Sequence, residues 1–150
     1  MFLTPQTILV VDDEPSDLNT IRDHLVENGY SLLTASDGLD AIRIYQEHRA
    51  PIALLISDVA MNPMGGVELA HTLRDLQKDL KVLFISGYAG AEVLRRIESL
   101  EAAAFLPKPI DREALLRKVR EFLVSGLTLT AGQMTSTPEG ATGSGNTPLA

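Results

Sequence analysis

Residues 7–35 read TILVVDDEPSDLNTIRDHLVENGYSLLTA, and one strand, one helix and a second strand follow one another within them. Thr7–Val11 is a short aliphatic and β-branched run, the composition of a strand. Leu18, Ile21 and Leu25 then recur at spacings of three and four, which places them on one face of a helix. Asn28-Gly29 stops that helix, because glycine adopts the left-handed backbone on which helices end. Ser31–Ala35 (SLLTA) supplies the second strand. Two strands joined through a crossover helix lie parallel, so this stretch reads as a βαβ unit.

The same alternation continues along the chain. Further strands are expected at Ile52–Ser57 (IALLIS), Lys81–Ser86 (KVLFIS) and Ala103–Leu106 (AAFL). Helical spacing is marked by Ile42 and Tyr45, by Leu69, Leu73 and Leu76, and by Val93, Ile97 and Leu100. The clearest stripe, Leu115, Leu116, Val119, Phe122 and Leu123, follows Pro109 and the expected N-cap Asp111. Three of the five strand runs are apolar almost throughout, the mark of strands covered on both faces. Five strand-helix units in strict alternation predict a doubly wound α/β fold with a five-stranded parallel sheet and right-handed crossovers.

A chain of 150 residues with 45% hydrophobic and 22% charged residues can bury one core of ordinary size. The folded domain is expected over residues 1–125. From Gly126 to Ala150 the composition turns to Gly, Thr, Ser and Pro without apolar period, and this stretch reads as a flexible tail. The sequence has no Cys, which excludes disulfides, thiolate metal sites and cysteine nucleophiles. No apolar run approaches the ~20 residues of a membrane helix, and the N-terminus lacks the cationic start of a signal peptide. A cytoplasmic protein without membrane contact is expected. Residues 1–89 carry a net charge of −7 and residues 90–125 a net charge of +1. So acidic a front half disfavours direct nucleic-acid binding and suits a site that holds a cation.

Ligands of doubly wound sheets bind beyond the carboxyl ends of the strands. The first strand runs into Asp12, Asp13 and Glu14, the third into Asp58 and the fourth ends at Ser86, while Lys108 follows the fifth. Carboxylates, a hydroxyl and an ammonium are therefore expected at one edge. Gathered carboxylates repel one another, and a divalent cation relieves that repulsion. Oxygen ligands without His or Cys suit a hard ion, and magnesium with room for a phosphoryl oxygen fits best. A carboxylate can also accept a phosphoryl group as an acyl phosphate, with Lys108 and Ser86 stabilising the transferred oxygens.

VVDDEP, LLISDVAMNPMGG, FISGYA and FLPKP, each at an expected strand end, together resemble the receiver domains of bacterial response regulators. The resemblance spans residues 6–124 and implies a flavodoxin-like (βα)5 fold with strand order 2-1-3-4-5. It further implies that Asp58 is the phosphoacceptor and that Mg2+ is bound by Asp12, Asp13, Asp58 and the backbone carbonyl of Ala60. Ser86 and Phe105 match the family's switch pair, Lys108 its lysine, and Pro109 the cis-proline beside that lysine. A histidine kinase or histidine phosphotransfer protein would be the donor. The downstream protein target would dock on the face of the fourth helix, fifth strand and fifth helix, where Arg95, Arg96 and Lys118 make acidic partners favourable. Such a protein is a signalling phosphoacceptor with slow autodephosphorylation rather than an enzyme, and here it resembles a stand-alone receiver, while the motifs also resemble receivers attached to hybrid kinases. The sequence departs from the family in placing Asn62 between Met61 and Pro63, and in Gly65, where an acidic or amide residue is frequent.

Other readings stand beside these. Asp12–Glu14 also reads as an acidic helix start, Ser86 as a helix cap, Lys108 as a loop lysine and Phe105 as a core residue. His24, His48 and His71 lack ligand spacing and read as surface residues. Gly65, Gly66 and Gly87 fit turn geometry as well as phosphate contact. An Mg2+-dependent aspartyl-phosphate phosphohydrolase is the first alternative function, although it usually wants a second acid two residues after the nucleophile, where Ala60 stands. A phosphorylation-independent protein-binding module is the second. A nucleotide or flavin carrier is disfavoured by DDEPSD, an acidic first turn without glycine.

Overall fold

The computed structural model describes residues 6–131, with side chains described as far as Val124. Its elements alternate as expected: β1 (Thr7–Val11), α1 (Pro15–Glu27), β2 (Ser31–Ala35), α2 (Gly38–Glu47), β3 (Leu54–Asp58), α3 (Gly66–Leu76), β4 (Val82–Ser86), α4 (Ala91–Glu98), β5 (Ala103–Pro107) and α5 (Arg112–Ala131). The five strands are all parallel, in the order β2-β1-β3-β4-β5.

Strand alternation divides the core. Leu9, Val11, Leu55, Val82 and Phe84 share one face of the sheet and pack with Ala41 of α2, Val67, Leu69, Ala70 and Leu73 of α3, and Ile97 of α4. Ile8, Val10, Leu54, Ile56, Leu83 and Ile85 alternate to the other face and are likewise buried. β1, β3 and β4 lie inside the sheet, which is why their sequences are apolar at successive positions.

Local chemistry sets the helix ends. Pro15 opens α1, its lost amide being one that a first turn leaves unpaired anyway, and Gly29 at φ +86° reverses the chain after it. Asp37 caps α2 by accepting from the Asp40 amide at 2.7 Å, and Asp111 caps α5 by accepting from the Ala114 amide at 2.8 Å.

The end of β3, the start of β4 and the end of β5 each differ from the sequence reading by one residue, Leu100 lies beyond the end of α4, and two boundaries shift further. β3 starts at Leu54 because the Ile52 backbone is taken by a side chain: its amide donates to Gln77 Oε1 at 3.1 Å and its carbonyl accepts from Gln77 Nε2 at 2.8 Å. α5 runs to Ala131, past the boundary expected at Ser125, since a lone Gly126 costs a helix about 1 kcal/mol and does not end it. The expected tail beyond Ala131 lies outside the described residues. Among the described residues, those up to Val119 form one compact unit and those from Arg120 to Ala131 belong to a second, which is helical. Among the described residues no helix is long and apolar enough to cross a membrane.

Candidate phosphoryl and metal site

β1 and β3 are neighbours that end level with each other, so the residues following them are brought together by register alone. One carboxylate oxygen from each of Asp12, Asp13 and Asp58 lies within 4.8 Å of the other two. Asp12 and Asp58 are buried, at 1% and 6% exposure, while Asp13 faces solvent. Asp12 Oδ1 accepts from the Glu14 amide at 2.9 Å, which fixes that carboxylate as the chain turns into α1. The approach to Asp58 is set by Gly66, where any Cβ would collide with the Asp58 carbonyl oxygen. Gly66 therefore serves close backbone packing under the acceptor position. Gly65 starts α3 without a side chain to cap it, and Glu68 Oε1 instead accepts from the Gly65 amide at 3.1 Å.

Lys108 enters from the end of β5, followed by a cis peptide bond to Pro109. Its Nζ lies 3.1 Å from Asp12 Oδ2 and 3.4 Å from Asp58 Oδ2. The shortest contact is to a residue the sequence reading did not single out: Asp17 Oδ2 of α1, at 2.8 Å. The remaining oxygen of Asp12 is buried with the Lys108 ammonium beside it.

The charges are consequently unbalanced. Burial pushes the Asp58 carboxyl above the ordinary aspartate value and the charge of Asp12 pushes it further, while Lys108 and the Ala60 amide pull the other way without cancelling them. Burial alone would lower the Lys108 ammonium, yet its contacts with Asp17 and Asp12 and the charges of Asp12 and Asp58 together hold it above the usual lysine value. One ammonium shared among several carboxylates neutralises Asp58 only in part.

Ser86 ends β4 and is buried, but its hydroxyl is turned to the β4–α4 loop: it donates to the Tyr88 carbonyl at 2.7 Å and accepts from the Tyr88 amide at 3.2 Å. The ring of Tyr88 is exposed. Phe105 lies opposite Phe84 across the β4–β5 pair, half-buried against the core. Ser86 is two residues further along the same face of β4, so hydroxyl and ring are diagonal neighbours. Of the histidines, His71 is exposed and His24 half-buried. His48 departs from the surface reading: it closes the C-terminus of α2 and its Nε2 is enclosed without a hydrogen-bond partner among the described residues.

The structure thus combines a parallel α/β fold with an acidic cluster and a lysine at the carboxyl edge of its strands. The family model described as "Response regulator receiver domain" matches residues 8–120, and the chain belongs to that family. It is 36% identical over 121 residues to the response regulator MprA of Mycobacterium sp. (strain KMS), covering 79% of this chain and 51% of that protein. It is 34% identical over 118 residues to the sensor kinase CckA of Brucella abortus (strain 2308), covering 78% of this chain and 12% of that protein. The chain thus spans about half or less of the length of these relatives. Among solved structures, the chemotaxis protein CheY4 of Vibrio cholerae superposes with a TM-score of 0.73 at 29% identity, over 80% of this chain and all of that one.

Proposed function

We propose that Asp58 accepts a phosphoryl group from a histidine kinase or histidine phosphotransfer protein, in the cytoplasm, and that the acyl phosphate changes which protein the chain binds. The observation that carries this reading is the placement of Asp58, buried at the end of a central strand, with Asp12 and Asp13 beside it and Lys108 in contact. An Asp58 carboxylate oxygen attacks phosphorus as the bond from phosphorus to the donor's histidine nitrogen breaks, and the electron pair leaves with that nitrogen. Lys108 then has a phosphoryl oxygen to pair with in place of a carboxylate.

The site fits a hard divalent cation: its donors are all oxygens, and the one ammonium beside them is shared among Asp12, Asp17 and Asp58, which leaves the cluster net negative. Asp12, Asp13, Asp58 and the carbonyl of Ala60 would hold Mg2+. When bound, magnesium supplies positive charge for the phosphoryl oxygens.

The exposed, side-chain-poor Ala60 places no second acid two residues after Asp58, which favours a long-lived signalling acyl phosphate over a phosphohydrolase. Ser86 and Phe105 would relay the change. A hydroxyl drawn from Tyr88 toward the phosphoryl group frees space beside the Phe105 ring, and the ring turns inward. The face formed by α4, β5 and the start of α5 would be remodelled, and Arg95, Arg96 and Lys118 there suit an acidic protein partner.

Acetyl phosphate with magnesium should add one phosphoryl group to the protein by intact-mass spectrometry, and Asp58→Asn should abolish it. Undiminished phosphorylation of that variant would overturn the assignment.

A further inference from the structure

Asp17 makes the shortest contact of Lys108, and the phosphoacceptor reading gives it no task. It stands in the first turn of α1, and its carboxylate is 2.8 Å from the ammonium, against 3.1 Å for Asp12 and 3.4 Å for Asp58. An ammonium has three N–H donors, and three carboxylates surround this one. The ammonium therefore leans toward α1, and its longest contact is with Asp58.

We infer that Asp17 is a positioning residue that tethers the Lys108 ammonium on the α1 side of the site and thereby holds down the phosphorylated state. This rests on the phosphoacceptor reading of Asp58. A phosphoryl group on Asp58 brings anionic oxygens that need the ammonium, and turning Lys108 toward them stretches or breaks its contact with Asp17. Resting and phosphorylated states compete for one cation, and Asp17 weights the resting side. Asp17 also has an ordinary structural role, since an acidic residue in a first turn complements the helix dipole. That role affects melting temperature and gives no reason for tighter binding at Asp58 when the charge is removed.

The test is beryllofluoride, a phosphoryl mimic, titrated with magnesium present and followed by 19F NMR. Asp17→Asn, nearly isosteric and uncharged, should bind it about threefold to fivefold more tightly than wild type, the scale of a partly exposed ion pair. Asp17→Glu should restore wild-type affinity. An unchanged or weaker affinity in Asp17→Asn overturns the tether. In a Lys108→Met background Asp17→Asn should produce no further change, and a gain there equal to the wild-type gain would mean that Asp17 acts by charge without Lys108. In the free protein, with neither magnesium nor beryllofluoride, the 15N signal of the Lys108 ammonium should move in Asp17→Asn; an unmoved signal also overturns the tether. Wild-type protein that fails to bind beryllofluoride, or Asp58→Asn that binds it equally well, sinks the phosphoacceptor reading and the tether with it. Normal wild-type binding without an Asp17 effect sinks the tether alone.

Discussion

At the end of the sheet where the strands begin, Gln77 accepts from Tyr45 Oη at 2.8 Å and from the Ile52 amide at 3.1 Å, and donates to the Ile52 carbonyl at 2.8 Å. Close by, the Arg74 guanidinium donates to the carbonyls of Leu80, Glu101 and Ala102, joining the end of α3 to the turn before β5. At the end where the strands finish, Asp12 and Asp58 are buried and share the Lys108 ammonium with Asp17, and Asp58 is held above its ordinary pKa. One edge ties its strand starts together through neutral and guanidinium hydrogen bonds to backbone groups, whereas the other gathers carboxylates that one shared ammonium neutralises only in part. Buried polar groups left wanting are costly, so they persist where a ligand completes them. The first edge supports the fold, and under the proposed function the second is the one that a cation and a phosphoryl group complete.

The largest effect expected from this contrast comes from Gln77→Ala. It strips the partner from the Ile52 amide, the Ile52 carbonyl and the Tyr45 hydroxyl together, and should cost about 3 kcal/mol of stability in urea unfolding. Phosphorylation of the folded variant by acetyl phosphate should proceed at the wild-type rate. A variant that keeps its stability but loses phosphorylation would break the contrast.

Magnesium probes the other edge. At a hundred times its dissociation constant, a ligand that binds only the folded state stabilises it by about 2.7 kcal/mol. Wild type and Gln77→Ala should both gain that increment in thermal or urea unfolding. Asp12→Asn should lose most of it, since it neutralises one of the two buried carboxylates of the cluster. An equal increment in Asp12→Asn would remove this carboxylate from the proposed metal ligands.

The difference between the edges also explains what the sequence made legible. Strand identity, order of elements and the gathering of Asp12, Asp13, Asp58 and Lys108 follow from apolar runs and from what stands at their ends, because register places strand ends side by side. Asp17 escaped that reasoning. It is on a helix, and its contact with Lys108 depends on where the segment after β5 carries the ammonium relative to the first turn of α1, which no local pattern encodes. Ser86 was correctly placed at the edge, but hydroxyl direction is a rotamer choice settled by the Tyr88 backbone. The loss of Ile52 from β3 likewise comes from Gln77, a residue distant in sequence whose side chain claims a strand's first hydrogen bonds. Enclosure of His48 Nε2 has no sequence signal at all, since the helix pattern ends before it.

The smallest effect, and the one whose sign is most diagnostic, concerns Asp58 in the metal-free protein. Because its folded pKa is raised above the unfolded value, the folded state holds the proton more tightly than the unfolded chain does. The contribution of Asp58 is then fully present below the unfolded value near 3.8 and is lost as pH rises through the folded value. Ionised Asp58 is a net cost to the metal-free fold at neutral pH, so Asp58→Asn should melt slightly higher than wild type there. Lys108 does not reverse this, because Asp17 and Asp12 keep it paired when Asp58 is neutralised. The gap between variant and wild type should widen as pH is raised from about 4 toward neutrality. Saturating magnesium should invert it, since wild type gains a ligand interaction that Asp58→Asn weakens. Melting curves of both proteins across that pH range, with chelator and with magnesium, measure the prediction directly. A metal-free Asp58→Asn that melts below wild type at neutral pH would mean that the Lys108 contact outweighs burial and the repulsion of Asp12, and that this edge is satisfied by the chain itself.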